Sequence, residues 1–267
     1  MSTPRILWAT TFSGDLYDVS GKLLLASYAS TGTPHMLAIY AEDVQLPDAP
    51  AQVCIPISTR DPVLHKFLRD HRSVIPRALG GILGRPECRC KGGPFDVHAR
   101  KHKLPCPGYW FCKNAFRWLR KVYSAYQAAS RFREDYDILM WVDSDTRFLR
   151  KVPPEVVAGW FPEKTGCIYF KSRRDAIETG IVGYHLQHGG VKILTALMHR
   201  YVSGVFRQDH RWDDCVQLEK ALESCPDVRS VDLATDVGPN NTVLQFTPLR
   251  DYLTHDKGLH RRTGRLS

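Results

Sequence analysis

The residues Asp143-Ser144-Asp145 close an oily run, Ile138-Leu139-Met140-Trp141-Val142. Two carboxylates at i and i+2 beside a buried strand are costly unless something pairs with them. In extended backbone such residues point to the same side. Both can then reach one hard cation, or one the cation and the other a ligand hydroxyl. Oxygen ligands favour Mg²⁺ or Mn²⁺ over zinc. A capping or salt-bridged pair is the competing structural reading. The chain holds a second Asp-x-Asp, Asp135-Tyr136-Asp137, and position separates the two. Ligands of open α/β sheets bind outside the carboxyl ends of the strands. Asp135 and Asp137 precede the apolar run, as a solvated strand entry would; Asp143 and Asp145 follow it.

Other chemistry-bearing residues are dispersed. Asp213 and Asp214 stand where a helix begins, a position that favours carboxylates for capping as well as for catalysis. Arg117 and Lys121 share a helix face at i, i+4 spacing, as phosphate contacts or as a solvated basic face. Cys88, Cys90, Cys106 and Cys112, with His98 and His102 between them, supply enough ligands for a structural zinc site. Free thiols are the other reading, since the spacing is not a C-x2-C pair.

These residues need a scaffold, and the sequence outlines one. "RILWATTF" reads as a strand, "SGDLYDVSGKLLLASYAST" as a helix and "HMLAIYAED" as a second strand. A helix follows from about Trp110 to Arg133, then the strand ending at Asp143. A short helix at "PPEVVAGWF", a strand at "CIYFK", the segment "IETGIVGYHLQH", and helices at about 190–202 and "WDDCVQLEKALES" complete the body. Alternating strands and helices predict an α/β fold whose mostly parallel sheet is flanked by helices. Residues 44–60 show no clear period, and 80–108 read as a Gly/Pro/basic insertion in a single domain spanning 1–267.

With this outline, the chain resembles metal-dependent glycosyltransferases of the GT-A fold. The resemblance implies that Asp143 and Asp145 hold a divalent cation on the diphosphate of a nucleotide-sugar, with Ser144 beside them. The tail His255-Asp-Lys-Gly258-Leu-His-Arg261 is similar to the family's His-x-x-Gly-x-x-Lys pattern, with Arg in place of Lys. By that likeness His255 is a further metal ligand, and Lys257, Gly258 and Arg261 approach the diphosphate. Thr10, Thr11, Phe12 and Glu42 would line the nucleoside site, Arg117 and Lys121 would contact donor phosphate, and Glu178 and Gly180 would lie near the donor sugar. Asp214, with Asp213 as the second choice, would deprotonate the acceptor in an inverting displacement.

Within the fold, the chain looks most like the glycosyltransferases that modify DNA bases, the base J type and the phage enzymes found with TET-type dioxygenases. The shared outline is Thr-Thr-Phe, Arg-x-x-x-Lys, Asp-x-Asp, Glu-Thr-Gly, Trp212-x-Asp214 and the closing His-x-x-Gly. It implies transfer of a hexose from a UDP-sugar to a hydroxymethylated pyrimidine in DNA. A glycan, lipid or protein acceptor is the alternative. Tyr109, Trp110 or Tyr184 would stack on a flipped base.

Charge is compatible: 37 Lys and Arg against 28 Asp and Glu give a net +9, which suits a polyanion or a nucleotide. No stretch nears about 18 continuous apolar residues, so no membrane span is expected. Eight scattered cysteines in a chain of ordinary core size fit reduced thiols and a cytosolic setting, a phage-infected bacterium being one. A non-enzymatic alternative is a basic DNA-binding module whose acidic pair only neutralises Arg147 or Arg150.

Overall fold

The run Ile6–Ser13 forms β1, and apart from Thr11 and Ser13 its residues are buried. A strand covered on both faces must be apolar almost without interruption, and this one is. In the computed structural model, which describes residues 3–46, 49–74, 111–171, 177–234 and 247–255, β1 is central to a seven-stranded sheet. The remaining strands are β2 (Met36–Glu42), β3 (Gln52–Ile57), β4 (Ile138–Val142), β6 (Cys167–Phe170), β7 (Glu178–His185) and β8 (Ser230–Asp232), in the order β3-β2-β1-β4-β7-β6-β8. Only β7 runs against its neighbours. The expected α/β architecture with a mostly parallel sheet is therefore present. A two-stranded ladder of β5 (Thr146–Phe148) and β9 (Leu253–His255) stands apart.

Period-2 alternation sends β1 side chains into two cores. Leu7 and Ala9 pack on one face with α3 (Pro62–Asp70), α4 (Ala115–Phe132), α6 (Gly190–Val202) and α7 (Asp214–Glu223). Ile6, Trp8 and Phe12 pack on the other with α2 (Lys22–Ser30) and α5 (Pro154–Gly159). Between β1 and α2 the chain passes through the short α1 (Gly14–Leu16) and a π turn (Tyr17–Gly21).

The long helix α4 starts where Asn114 accepts a hydrogen bond from the Arg117 amide at 3.1 Å, a local cap for orphan donors. Its stripe Ala115, Leu119, Val122 and Ala129 is buried against the sheet. Full burial of Leu119 or Val122 contributes about 2 kcal/mol each.

Two elements are not assigned from the sequence: β3, in the stretch 44–60 without a clear period, and α3, just after it. β3 is an edge strand, carries Pro56 and has one wet face, which is where a strand tolerates proline. α3 follows Asp61, whose Oδ1 accepts from the Val63 amide at 2.9 Å, with Pro62 in its first turn. That signature of a helix start was legible at residues 61–62.

The insertion at 80–108, with Cys88, Cys90, Cys106, His98 and His102, lies outside the described residues, as do Tyr109 and Trp110. Of the four cysteines, Cys112 alone is described. Lys257, Gly258 and Arg261 lie outside as well. No helix among the described residues is long and apolar enough to cross a membrane.

Candidate functional site

Because β1 and β4 are parallel, they end at one sheet edge; because β7 is antiparallel to β4, it begins there. Val142 pairs with Ile181, which sets Glu178, Thr179 and Gly180 beside Asp143. The Asp143 amide donates to the Gly180 carbonyl at 2.8 Å, and the Thr146 amide closes a turn on the Asp143 carbonyl at 3.0 Å. That turn launches β5, whose Thr146 registers with His255 of β9. The ladder thus carries His255 to the sheet edge, where its Nε2 lies 2.7 Å from Asp145 Oδ1.

A carboxylate oxygen from Asp143, one from Asp145 and a ring nitrogen of His255 all lie within 4.8 Å of one another. Two carboxylates and an imidazole at an edge that is neither sealed nor fully exposed make a donor set that fits Mn²⁺ or Mg²⁺. Ser144 is within 3.1 Å of the Ser20 hydroxyl in the π turn. Gly180 is required by close approach: a Cβ there would meet His255 Cε1 at 2.4 Å and Nδ1 at 3.0 Å.

Lys121 stands behind this edge. Its Nζ is 2.7 Å from Asp143 Oδ1 and 2.7 Å from Asp214 Oδ2, and it donates to the Thr179 carbonyl at 2.8 Å. An ammonium has three protons and no acceptor capacity; here Thr179 accepts from it through its carbonyl and, at 3.3 Å, its Oγ1, while Asp143 and Asp214 are ion-pair contacts. Phosphate contact, expected from helix spacing, is therefore not what Lys121 does in this arrangement; its side chain is 11% exposed. Burial opposes its charge, but Asp143 and Asp214 outweigh that and hold its pKa above the ordinary lysine value. Trp141 fixes the same oxygen of Asp143, donating its indole N–H to Oδ1 at 3.0 Å. Neither the lysine's three-way role nor the indole bond has a sequence signature.

Asp213 and Asp214 divide their roles. Asp213 is the N-cap of α7, accepting from the Val216 amide at 3.3 Å, and its other oxygen accepts from Arg211 Nε at 2.8 Å. Asp214 turns inward to Lys121. Burial raises its pKa, the Lys121 charge opposes that, and the Asp143 charge adds to it. With 3% of the side chain exposed, an acceptor reaches it only by displacing a neighbour. Cys215 is one such neighbour, its Sγ lying 3.9 Å from Asp214 Oδ1 and 3.4 Å from Thr179 Oγ1.

A polar network unforeseen in the sequence fixes the turn before α7. Asp209 Oδ2 accepts from Arg200 Nη2 at 2.6 Å and from Gln217 Nε2 at 2.9 Å. The Asp209 carbonyl accepts from buried Lys113 at 3.1 Å and from the Trp212 indole at 3.2 Å.

Thr10 and Phe12 are buried in the sheet, Thr11 Oγ1 donates to the Tyr40 carbonyl at 2.8 Å, and Phe12 stacks on Tyr17. Glu42 ends β2 but is ion-paired with Arg120. Arg117 lies against the Trp118 ring at 5.5 Å. Glu178 is buried, and its Oε1 accepts from the Gly180 amide at 3.2 Å. Tyr184 is 3% exposed within the core, so it is not a platform for a flipped base: it sits on the inward side of a strand covered by α6 and α7. The Cys112 carbonyl accepts from the Trp212 amide at 2.7 Å, and burial raises its thiol pKa.

The earlier Asp-x-Asp behaves as a strand entry. Asp137 Oδ2 accepts from the Arg5 amide at 2.8 Å, tying the start of β4 to that of β1. Arg150 pairs with Asp251, and the cation on Asp143 is Lys121. Comparison with protein-family models and with curated proteins finds no match to this chain.

Proposed function

We propose that this chain is a metal-dependent glycosyltransferase moving a hexose, glucose by the resemblance, from a UDP-sugar to a hydroxymethylated pyrimidine in DNA. The observation that carries the reading is the meeting of Asp143, Asp145 and His255 at one sheet edge, the last two drawn from 110 positions apart.

Asp143, Asp145 and His255 would hold Mn²⁺ or Mg²⁺, and the bound cation supplies Lewis-acid neutralisation of the departing diphosphate. Lys257 and Arg261, three and six residues beyond Thr254 and His255 in sequence, would add positive charge to the same group. Asp214 would take the proton of the attacking hydroxyl. Burial raises its pKa, toward the range in which a base works best near neutral pH. Direct displacement with such a base inverts the anomeric centre. Support for DNA as acceptor comes from the net charge of +9 and from the resemblance; a target base would have to leave the duplex stack. The reading goes with a cytosolic setting.

The test incubates the protein with labelled UDP-glucose, Mn²⁺ and either a 5-hydroxymethylcytosine oligonucleotide or a set of saccharide acceptors. Label on DNA, lost with EDTA, supports the proposal. Label on saccharide alone moves the acceptor to a glycan while keeping the chemistry. Failure to hydrolyse or transfer any UDP-sugar, with DNA binding undiminished in Asp143→Ala/Asp145→Ala, replaces it with a DNA-binding module.

A further inference from the structure

The described residues contain several groups outside the proposed metal set, but one ties two halves of the site together. Lys121 Nζ is equally close, at 2.7 Å, to Asp143 and to Asp214. Asp143 belongs to the cluster with Asp145 and His255, whereas Asp214 belongs to a separate, more buried group with Asp213 and Cys215. One ammonium therefore serves two carboxylates that have different jobs.

Its surroundings make that sharing consequential. Among the described residues the buried amine meets Asp143, Asp214 and Thr179, and the Trp141 ring centre lies 5.8 Å from it. A buried charge keeps at least one anionic neighbour, because leaving it unpaired is very costly. Lys121 and Asp214 both border a small, mostly apolar cavity with Val122, Trp141, Val182 and Leu197 in its wall. Trp141 holds Asp143 Oδ1 from another direction, so Asp143 keeps its place when the ammonium leans away. Asp214 is pinned at the first turn of α7 by the cap at Asp213.

We infer that Lys121 is a positioning residue that couples the strand-end metal site to Asp214, leaning onto Asp214 when Asp143 engages a divalent cation. This rests on the metal reading above and deepens it. Coupling of this kind is reciprocal: whatever removes Asp214 as a partner drives the ammonium onto Asp143, where it competes with the metal. Asp214 then governs metal affinity without being a ligand. A purely structural ion pair, or plain long-range attraction between Asp214 and the metal, has no such dependence on Lys121.

A double-substitution cycle read by Mn²⁺ affinity, from the electron paramagnetic resonance of free Mn²⁺, separates these cases. In the parent chain, Asp214→Asn is expected to weaken Mn²⁺ binding roughly five- to tenfold, the lower end of ordinary site coupling. In a Lys121→Gln background, the same change is expected to do nothing. In a Lys121→Arg background, which keeps the charge, the weakening returns. Circular dichroism of each variant checks folding, and if Lys121→Gln does not fold, the doubly neutral Lys121→Gln/Asp214→Asn is compared with the parent and with Asp214→Asn. Recovery of parental affinity or better in the double variant supports the coupling, and affinity no better than that of Asp214→Asn overturns it. Equal weakening in the Lys and Gln backgrounds, or none in either, overturns it too. Absence of Mn²⁺ binding by the parent chain overturns the metal reading and the coupling together.

Discussion

The imidazole of His255 occupies the space that a side chain at position 180 would fill: a Cβ built on Gly180 falls 2.4 Å from its Cε1. A backbone position on β7 thereby decides whether a residue on β9 can reach Asp145. Gly180→Ala should push His255 out of the cluster while leaving the sheet paired. Mn²⁺ affinity is expected to fall about tenfold or more, the scale seen when a ligand's support is lost. Calorimetric titration of wild type and variant checks it; unchanged affinity would show that the ring has another way in.

Asp143 and Asp137 occupy opposite ends of β4 and should respond differently. Asp143→Asn is expected to abolish measurable Mn²⁺ binding and to lower any sugar transfer at least about a hundredfold. Asp137→Asn weakens the Arg5 contacts at the strand entry and should cost about 1 kcal/mol, leaving Mn²⁺ binding alone. Urea denaturation together with metal titration distinguishes the two; a metal defect in the Asp137 variant would be the contrary result.

Removing Lys121 without compensation leaves Asp143 and Asp214 facing each other in a closed space. Lys121→Met is expected to cost about 3–5 kcal/mol, as for other broken buried pairs. Adding Asp214→Asn should restore part of that loss. Denaturation midpoints of the single and double variants decide it, and additive losses would contradict the arrangement.

Acid should destabilise the fold through histidines held neutral. Burial and the neighbouring His188 lower the His185 pKa to about 4, and burial lowers that of His35, which contacts the Val152 carbonyl at 3.0 Å. Both folded values lie below the unfolded value near 6.5, so the unfolded chain binds protons first. Stability is full above about pH 6.5, falls as pH drops toward 4, and levels off below. Each group contributes at most about 1.4 kcal/mol per pH unit, and less for half-exposed His185. Replacing His185 by Gln should flatten the slope measured between pH 7 and 4.5; a parallel curve would count against this assignment.

Much of the scaffold was legible because its strands and helices are strongly patterned. β1 and β4 are nearly continuous apolar runs, and α4 carries a full helical stripe, so their types and order follow from burial alone. The strand-end meaning of Asp143 and Asp145 followed from the same logic. β3 escaped because an edge strand with one wet face and a proline lacks a clear period. Asp214 was preferred to Asp213 mainly by resemblance, since adjacent carboxylates at a helix start have the same local propensity. Only the turn fixed by Asp209, Lys113 and Trp212 sends one to the cap and the other to Lys121. Lys121 itself was read as pointing to phosphate because i, i+4 spacing gives a face, not a partner.

The β5–β9 ladder is three residues long, and through it the site depends on the last described strand of the chain. Every strand of the main sheet lies within residues 6–232, whereas His255 comes from a separate strand that follows them. Without β9, the strand-end carboxylates lack their imidazole. On the proposed metal reading, a product clipped just before β9 would keep every strand of the main sheet yet lack one of the three proposed ligands, along with the core side chain of Leu253.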